Sequence, residues 1–245
     1  MEQHAYTRVE RGTAFIANDA LACRIATITG ELMDLRGLPE KHDWLSGTHP
    51  LVTLAERDGE PARLNEVTVD EGADEHGVEL TLNGRTNGLR VRCRIYAFHR
   101  APALWMRLDV RNLREQRKTV TPHVPWSRAF EPALVSAEID AEPAALAVRG
   151  PSNTLVIAPA QGGESHPPEL DSAHGGITPS AQKIASGMSQ VVLSVLLVVV
   201  EGDLNEMGPQ TLERTRRIWC ERAAAVEARM VDAEQAARDS GEIKD

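Results

Sequence analysis

The densest group of chemically capable side chains lies between Arg85 and Lys118, where ten Lys or Arg residues stand against two acids, Asp109 and Glu115. That local balance of +8 sits in a chain of formal net charge −9, so the remainder carries −17. Guanidinium groups hold carboxylates and phosphates through forked pairs of hydrogen bonds. Arg90, Arg92 and Arg94 alternate along one segment, and Arg107 and Arg111 fall on the matching positions of the next. On one sheet face, Arg92, Arg94 and Arg107 with their neighbours would suit an acidic sugar or a sugar phosphate, and Trp105 in the same register offers a face on which a sugar ring can stack. A solvated sheet face, or charge that protects a sheet edge, would produce the same pattern.

A second group is His99 together with His123, Trp126 and Arg128, the last three in the run TPHVPWSR. Histidine moves protons near neutral pH, so His99 or His123 could act as acid against a distant carboxylate, with Glu131 or Glu164 as the partner. Trp126 and Arg128 would then contact the substrate. The structural alternative packs Trp126 in the core and leaves His123 in a local hydrogen bond. Glu164, His166, Glu169, Asp171 and His174 have ligand-type side chains, but their spacing matches no metal motif and a polar loop accounts for them, so no metal is expected. Trp44, beside His42 and Asp43, reads as the aromatic anchor of a loop. The chain has no GxGxxG, no GxxxxGK followed by Ser or Thr, no GxSxG and no HExxH, so no cofactor is expected and nucleotide-dependent or simple hydrolase chemistry loses support.

The elements that must hold these groups are mostly strands. Thr13 to Ile16 and Ala20 to Thr29 break at Gly30 before Glu31 to Leu35, the pattern of a hairpin. A polar stretch from Gly37 to Pro50 follows, then Leu51 to Glu56, a turn at Asp58-Gly59 and a strand around Val67 to Val69. Val78 to Leu82 runs into Asn83-Gly84 and Asn87-Gly88, both turn formers, and predicts a hairpin. Beyond it Val91, Cys93, Ile95 and Ala97 share one face while Arg90, Arg92, Arg94, Tyr96 and Phe98 share the other, the period of two expected of a half-buried strand. After Ala101-Pro102 the pattern repeats, with Leu104, Met106, Leu108 and Val110 against Trp105, Arg107, Asp109 and Arg111, so two antiparallel neighbours are predicted. Further strands are predicted at Thr119 to Val124, Val135 to Ile139, Ala144 to Val148, Leu155 to Ala158 and Val191 to Val200, and little regularity between Pro159 and Gly187.

From Pro209 the period changes. Leu212, Trp219, Val226 and Ala233 recur every seven residues, with Ala223, Met230 and Ala237 beside them, which predicts an amphipathic helix. Pro209 suits its first turn, and Glu213 to Arg217 and Arg217 to Glu221 are spaced for i,i+4 pairing. The stripe serves docking on the sandwich, a seam with a second copy in a homodimer, or a linker to another domain. Residues 1–205 are read as one β-sandwich domain and 206–245 as a helix packing on it or mediating association.

Composition narrows the partners. Hydrophobic residues make up 42% of the chain but aromatics only 4%, so the core must be aliphatic. The acidic balance opposes nucleic acid as a partner. The apolar run Val191 to Val200 is too short to span a bilayer, and the polar N-terminus has no hydrophobic secretory segment, so neither membrane insertion nor export is expected. Cys23, Cys93 and Cys220 are far apart and odd in number, which fits reduced thiols in the cytoplasm.

The order of these features resembles a known family. A strand-turn-strand opening at Ala20 to Leu35, VRCRIYAFHRAPALWMRLDVRN at Val91 to Asn112 and ITPSAQKIASGMSQVVLSVLLVVVEGD at Ile177 to Asp203 together look like the β-supersandwich of galactose-mutarotase-like proteins, found in aldose epimerases and in the N-terminal domains of some glycoside hydrolases and phosphorylases. The resemblance covers about Ala20 to Asp203. It implies a mainly β fold, an antiparallel β-supersandwich with a C-terminal α-helix, and an association with carbohydrate. In hydrolase and phosphorylase relatives a helical linker follows the sandwich, and the segment after Pro209 resembles one. The flanking motifs of a mutarotase's histidine acid and glutamate base have no match in this chain. Three functions follow: a non-catalytic sugar-binding or structural module, an aldose epimerase or mutarotase-like enzyme, and a protein-interaction module dimerising through its helix.

Overall fold

The computed structural model describes residues 4–38, 42–45, 47–56, 62–123, 135–139, 145–150, 152–160, 169–171, 176–178, 181–201 and 209–239. The chain opens as a meander of β1 (Tyr6–Glu10), β2 (Thr13–Ala17), β3 (Leu21–Ala26) and β4 (Glu31–Gly37), and the short β5 (His42–Asp43) and β6 (His49–Pro50) both pair with β4. Gly30, at φ +66°, makes the reversal into β4 at the break read from the sequence. The β2–β3 turn is held by Asn18, whose Oδ1 accepts from the backbone N–H groups of Ala20 and Leu21 at 3.0 and 2.9 Å. Its Nδ2 donates to the Ala103 carbonyl at 2.7 Å and so links this turn to a residue of the opposite layer.

That layer is built from β8 (Asn65–Ala73), β9 (Gly77–Thr86), β10 (Leu89–Phe98), β11 (Ala103–Asn112), β13 (Val135–Ile139), β14 (Ala145–Arg149), β15 (Asn153–Pro159) and β19 (Ser189–Glu201). They form an antiparallel sheet of eight strands in the order β13-β14-β15-β19-β11-β10-β9-β8. A three-stranded sheet joins β7 (Thr53–Glu56), β12 (Lys118–His123) and β18 (Gln182–Ile184) in the order β18-β12-β7. Two short strands, β16 (Glu169–Asp171) and β17 (Gly176–Thr178), pair with each other inside the stretch expected to lack regular structure.

The fold is mainly β, an antiparallel sandwich closed by one C-terminal helix. Its core is aliphatic, as the composition requires: Ile16, Leu21 and Ile25 pack with Leu80, Leu82, Val91, Cys93, Leu108 and Val195, all buried. Trp44 is fully buried against Gly37, where an added Cβ would lie 2.7 Å from the indole. One expectation needs correcting. Asn83-Gly84 is not a turn but part of β9, and the chain reverses only at Asn87-Gly88, at φ +48° and +77°. Gly84 is small because Leu64 crosses it, with a Cβ there falling 3.2 Å from the Leu64 side chain.

The helix α1 (Pro209–Asp239) lies against the other face of the eight-stranded sheet. Ala223 and Val226 are buried and Met230 is partly buried against Tyr96, Phe98, Ala103, Trp105, Leu196 and Val198. The side chains of Leu212, Trp219 and Ala237 lie outside the described residues, and Ala233 is exposed. This contact corrects the half-buried reading of β10. From Cys93 to Phe98 both of its faces are buried, one by the sandwich core and the other largely beneath α1. Among the described residues no helix is long and apolar enough to cross a membrane.

Candidate binding face

Antiparallel pairing puts directly opposed residues on the same side of a sheet, so the register orders the outer face of β9, β10, β11 and β19 into rows. The first row is Glu79, Tyr96, Trp105 and Leu196. The second is Thr81, Arg94, Arg107 and Ser194. The third is Asn83, Arg92 and Asp109, and the fourth is Arg85, Arg90, Arg111 and Ser189. A register shift between Leu108 and Asp109 separates the upper pairs of β11 and β19 from the lower ones.

Aromatics dominate the first row, and α1 closes over it. Trp105 is fully buried, and its Nε1 donates to Ser194 Oγ at 2.9 Å. Tyr96 donates its hydroxyl to Asp74 Oδ1 at 2.5 Å. Burial, reinforced by that bond to a carboxylate, pushes the Tyr96 phenol well up. Burial alone would raise Asp74 too, but hydrogen bonds from Tyr96 and from the backbone N–H groups of His76 and Gly77, with the charge of Arg229 at 3.6 Å, hold it below the usual carboxylate value.

The second row is charged and buried at once. Arg94 and Arg107 stand directly opposite each other, 6% and 8% exposed. Like charges so placed repel, and acids surround them. Arg107 donates from Nη2 and Nε to Asp109 Oδ1 at 2.8 and 3.2 Å, and from Nη1 to Glu227 Oε1 of α1 at 2.8 Å. Arg94 Nε lies 4.0 Å from Glu79 Oε1, and Glu79 also accepts from the Thr81 hydroxyl. Burial lowers the Arg94 pKa, against the opposing pull of Asp109 and Glu79. The rows below are more open: Arg92 and Arg111 are half-buried, and Arg85 and Arg90 are exposed.

The sequence-predicted residues therefore divide. Arg92, Arg94, Trp105 and Arg107 come together on one face in three successive rows. His99 does not join them: its Nδ1 accepts from the Ala5 backbone N–H at 3.1 Å and its ring meets His4 edge-on at 5.2 Å, so it ties down the N-terminal segment. His123 belongs to β12, in the three-stranded sheet with β7, and its side chain lies outside the described residues. Trp126, Arg128, Glu131, Glu164, His166 and His174 also lie outside them, while Glu169 and Asp171 fall in β16. Among the described residues no group of three or more His, Cys, Asp or Glu could hold a metal ion.

Sequence reasoning placed Asp109 on this face but missed its other acids, Glu79 and Glu227. Glu79, Thr81, Asn83 and Arg85 alternate along β9 with a period of two, but reading Asn83-Gly84 as a turn cut the pattern short. Glu227 was detectable as the acid beside Ala223, Val226 and Met230 on the buried side of the helix.

No family model matches the chain, and no curated protein matches it. Among solved structures it is similar to a GH36 alpha-galactosidase from Geobacillus stearothermophilus, at 10% identity and a TM-score of 0.50, over 82% of this chain and 41% of that one. It is also similar to the periplasmic domain of YidC from Thermotoga maritima (9% identity, TM-score 0.47, 86% of this chain and 96% of that one) and to a putative aldose 1-epimerase from Escherichia coli K12 (13% identity, TM-score 0.42, 80% and 99%). The first likeness shows a shared β-sandwich fold, so the resemblance to galactose-mutarotase-like sandwiches holds at the level of fold; the other two are too distant to bear on the argument. The chain spans about two fifths of the alpha-galactosidase it matches.

Proposed function

We propose that this protein is a non-catalytic carbohydrate-binding module whose ligand, an acid-bearing sugar, lies on the outer face of the eight-stranded sheet. The observation that carries this reading is the set of arginines on the half of that face which α1 leaves open, Arg92 with Arg85, Arg90 and Arg111 beyond it, whereas Arg94, Arg107 and Trp105, expected as direct contacts, are buried beneath the helix. The sugar lies on the half of that face which α1 leaves open, with Arg92 as its direct contact, while Arg94, Trp105 and Arg107 support that surface from beneath the helix. The fold shared with an alpha-galactosidase agrees with a carbohydrate setting without specifying a reaction. Residues 1–205 form the binding domain and 206–245 its helical appendage. Cys23 and Cys93, buried as free thiols, favour a cytoplasmic location.

An epimerase would need a histidine and a carboxylate facing one sugar ring. His99 is engaged with the backbone of Ala5, which favours binding without turnover.

The test is a thermal-shift screen of the purified chain against neutral sugars, uronic acids and sugar phosphates. A ligand that binds only the native state stabilises it by about 2.7 kcal/mol at a hundred times its Kd. We expect the melting temperature to rise with acidic sugars; no shift with any sugar would remove the carbohydrate reading.

A further inference from the structure

Two rows on the outer face treat opposed arginines differently. Where Arg94 meets Arg107 under the helix, Glu79, Asp109 and Glu227 stand close by. Four residues toward the hairpin the pattern is repeated without that neutralisation. Arg85, Arg90 and Arg111 stand directly opposite one another on β9, β10 and β11, flanked by Asn65 on β8 and Ser189 on β19. Among the described residues the acid that reaches this row is Glu66, 3.6 Å from Arg85 in a well-exposed contact. Arg90 and Arg111 have no ion pair among the described residues, and Arg111 Nε is buried without a hydrogen-bond partner. Arg114 packs over Gly88 in the adjoining turn and adds a further cation at this end of the sheet.

Opposed like charges cost a sheet stability, and here they occur in two rows of one face, on either side of the Arg92–Asp109 row. Protection of an edge strand does not explain them, because β8 lies beyond β9 and β19 lies beyond β11. Neighbouring strands are about 4.8 Å apart, so the backbones carrying Arg85 and Arg111 are separated by about 10 Å. A ligand carrying more than one acid group can engage guanidiniums set out over that width.

We infer that the row Arg85, Arg90 and Arg111 is a binding site for an oligosaccharide bearing acid groups on successive sugars, held by forked contacts from Arg90 and Arg111 and flanked by the Asn65 amide and the Ser189 hydroxyl. This rests on the carbohydrate reading above and deepens it: the acid-recognising element is the open row, and the buried arginines under α1 serve the helix. The acid groups are carboxylates of uronic acids or phosphates of phosphorylated sugars, since arginine takes either in the same geometry. The net charge of −9 disfavours nucleic acid as the polyanion.

The experiment is calorimetric titration of the full chain and of an R90Q/R111Q double variant with a galacturonic acid trimer, a neutral galactose oligomer of the same length, glucose 6-phosphate and a short single-stranded oligonucleotide. Both substituted side chains lie on the sheet surface, far-UV circular dichroism checks that the fold is kept, and Arg8→Gln on β1 serves as the control for a lost surface charge. The uronate trimer is expected to bind more tightly than the neutral oligomer, and the double variant to lose about tenfold or more in affinity. Glucose 6-phosphate, with one acid group, is expected to bind more weakly than the trimer, and equal affinity would overturn the need for acid groups on successive sugars. Unchanged trimer affinity in the double variant overturns the site. Binding of the neutral oligomer without the acidic one overturns the site and leaves the carbohydrate reading standing, whereas binding of the oligonucleotide alone, lost in the double variant, overturns both.

Discussion

Arg107→Met should be among the most damaging single changes outside the sandwich core, for a reason that can be worked from its contacts. The guanidinium is 9% exposed and bonds Asp109 and Glu227, whose side chains are 16% and 20% exposed. Methionine retains much of the apolar stem that packs around the arginine, so the principal loss is charge. Two half-buried carboxylates would face each other without a cation, and Asp109 Oδ2 already has no hydrogen-bond partner. Removing one member of a buried ion-pair group costs about 3–5 kcal/mol. Glu227→Gln keeps an oxygen that Arg107 can bond and should cost about 1 kcal/mol. Urea unfolding followed by tryptophan fluorescence measures both, and limited proteolysis reports whether α1 loosens before the sandwich unfolds. Asp109→Asn added to Arg107→Met should recover part of the loss by removing one uncompensated charge. An Arg107→Met protein within about 1 kcal/mol of the parent would refute the reasoning, because a lost hydrogen bond alone would account for so small an effect.

Other expectations rest on separate contacts. The pKa of Asp74 is depressed in the folded state, so its contribution to stability is present above the ordinary carboxylate pKa and is lost as pH falls through the folded value; Asp74→Asn should flatten the acid limb of a stability–pH curve there. Burial raises Cys23 strongly and Cys93 to about 12, so a thiol reagent at pH 8 should leave both unmodified in the native protein and label both in denaturant. His99→Ala should cost about 1 kcal/mol through the lost bond to Ala5 and lower the hydrogen-exchange protection of β1. The same variant should leave sugar binding unchanged, and a loss of binding would return His99 to the site.

The strands were legible because their signal is local. Alternation along Val91 to Ala97 and Leu104 to Val110 depends on one buried face, and the same positions pair in the structure as Val91 with Val110 and Cys93 with Leu108. What could not be read was the fate of the other face. Arg94, Tyr96, Phe98 and Trp105 look like a surface mixture in sequence, yet α1 covers them from more than a hundred residues away. Local propensity was misleading at Asn83-Gly84 as well, where tertiary contact with Leu64 rather than a tight turn explains the glycine. The site divides along the same line. Its arginines and Asp109 were visible through their spacing, whereas the other acids that distinguish buried from open arginines, Glu79 and Glu227, come from β9 and α1, so which guanidiniums are neutralised becomes apparent only when the strands are in register.

That distinction bears on what holds the helix. The described apolar contact of α1 consists of Ala223, Val226 and part of Met230. Full burial of a valine side chain is worth about 1.5–3 kcal/mol, and an alanine offers less. Charge then has a large part in fixing where the helix lies, through Glu227 on Arg107 at one point and Arg229 toward Asp74 at another, one and three residues on from Val226 respectively. A purely apolar contact between these elements would tolerate sliding, because Ala223, Val226 and Met230 differ little in what they ask of the surface beneath. Two ionic contacts on opposite-signed partners set a single register, and a shift of one turn would leave both Arg107 and Asp74 without their partners. Ion pairs in that position do more to select an arrangement than to add net stability. The helix should therefore loosen on its sheet when salt is raised or Glu227 is neutralised, while the sandwich core, whose contacts are aliphatic, stays folded.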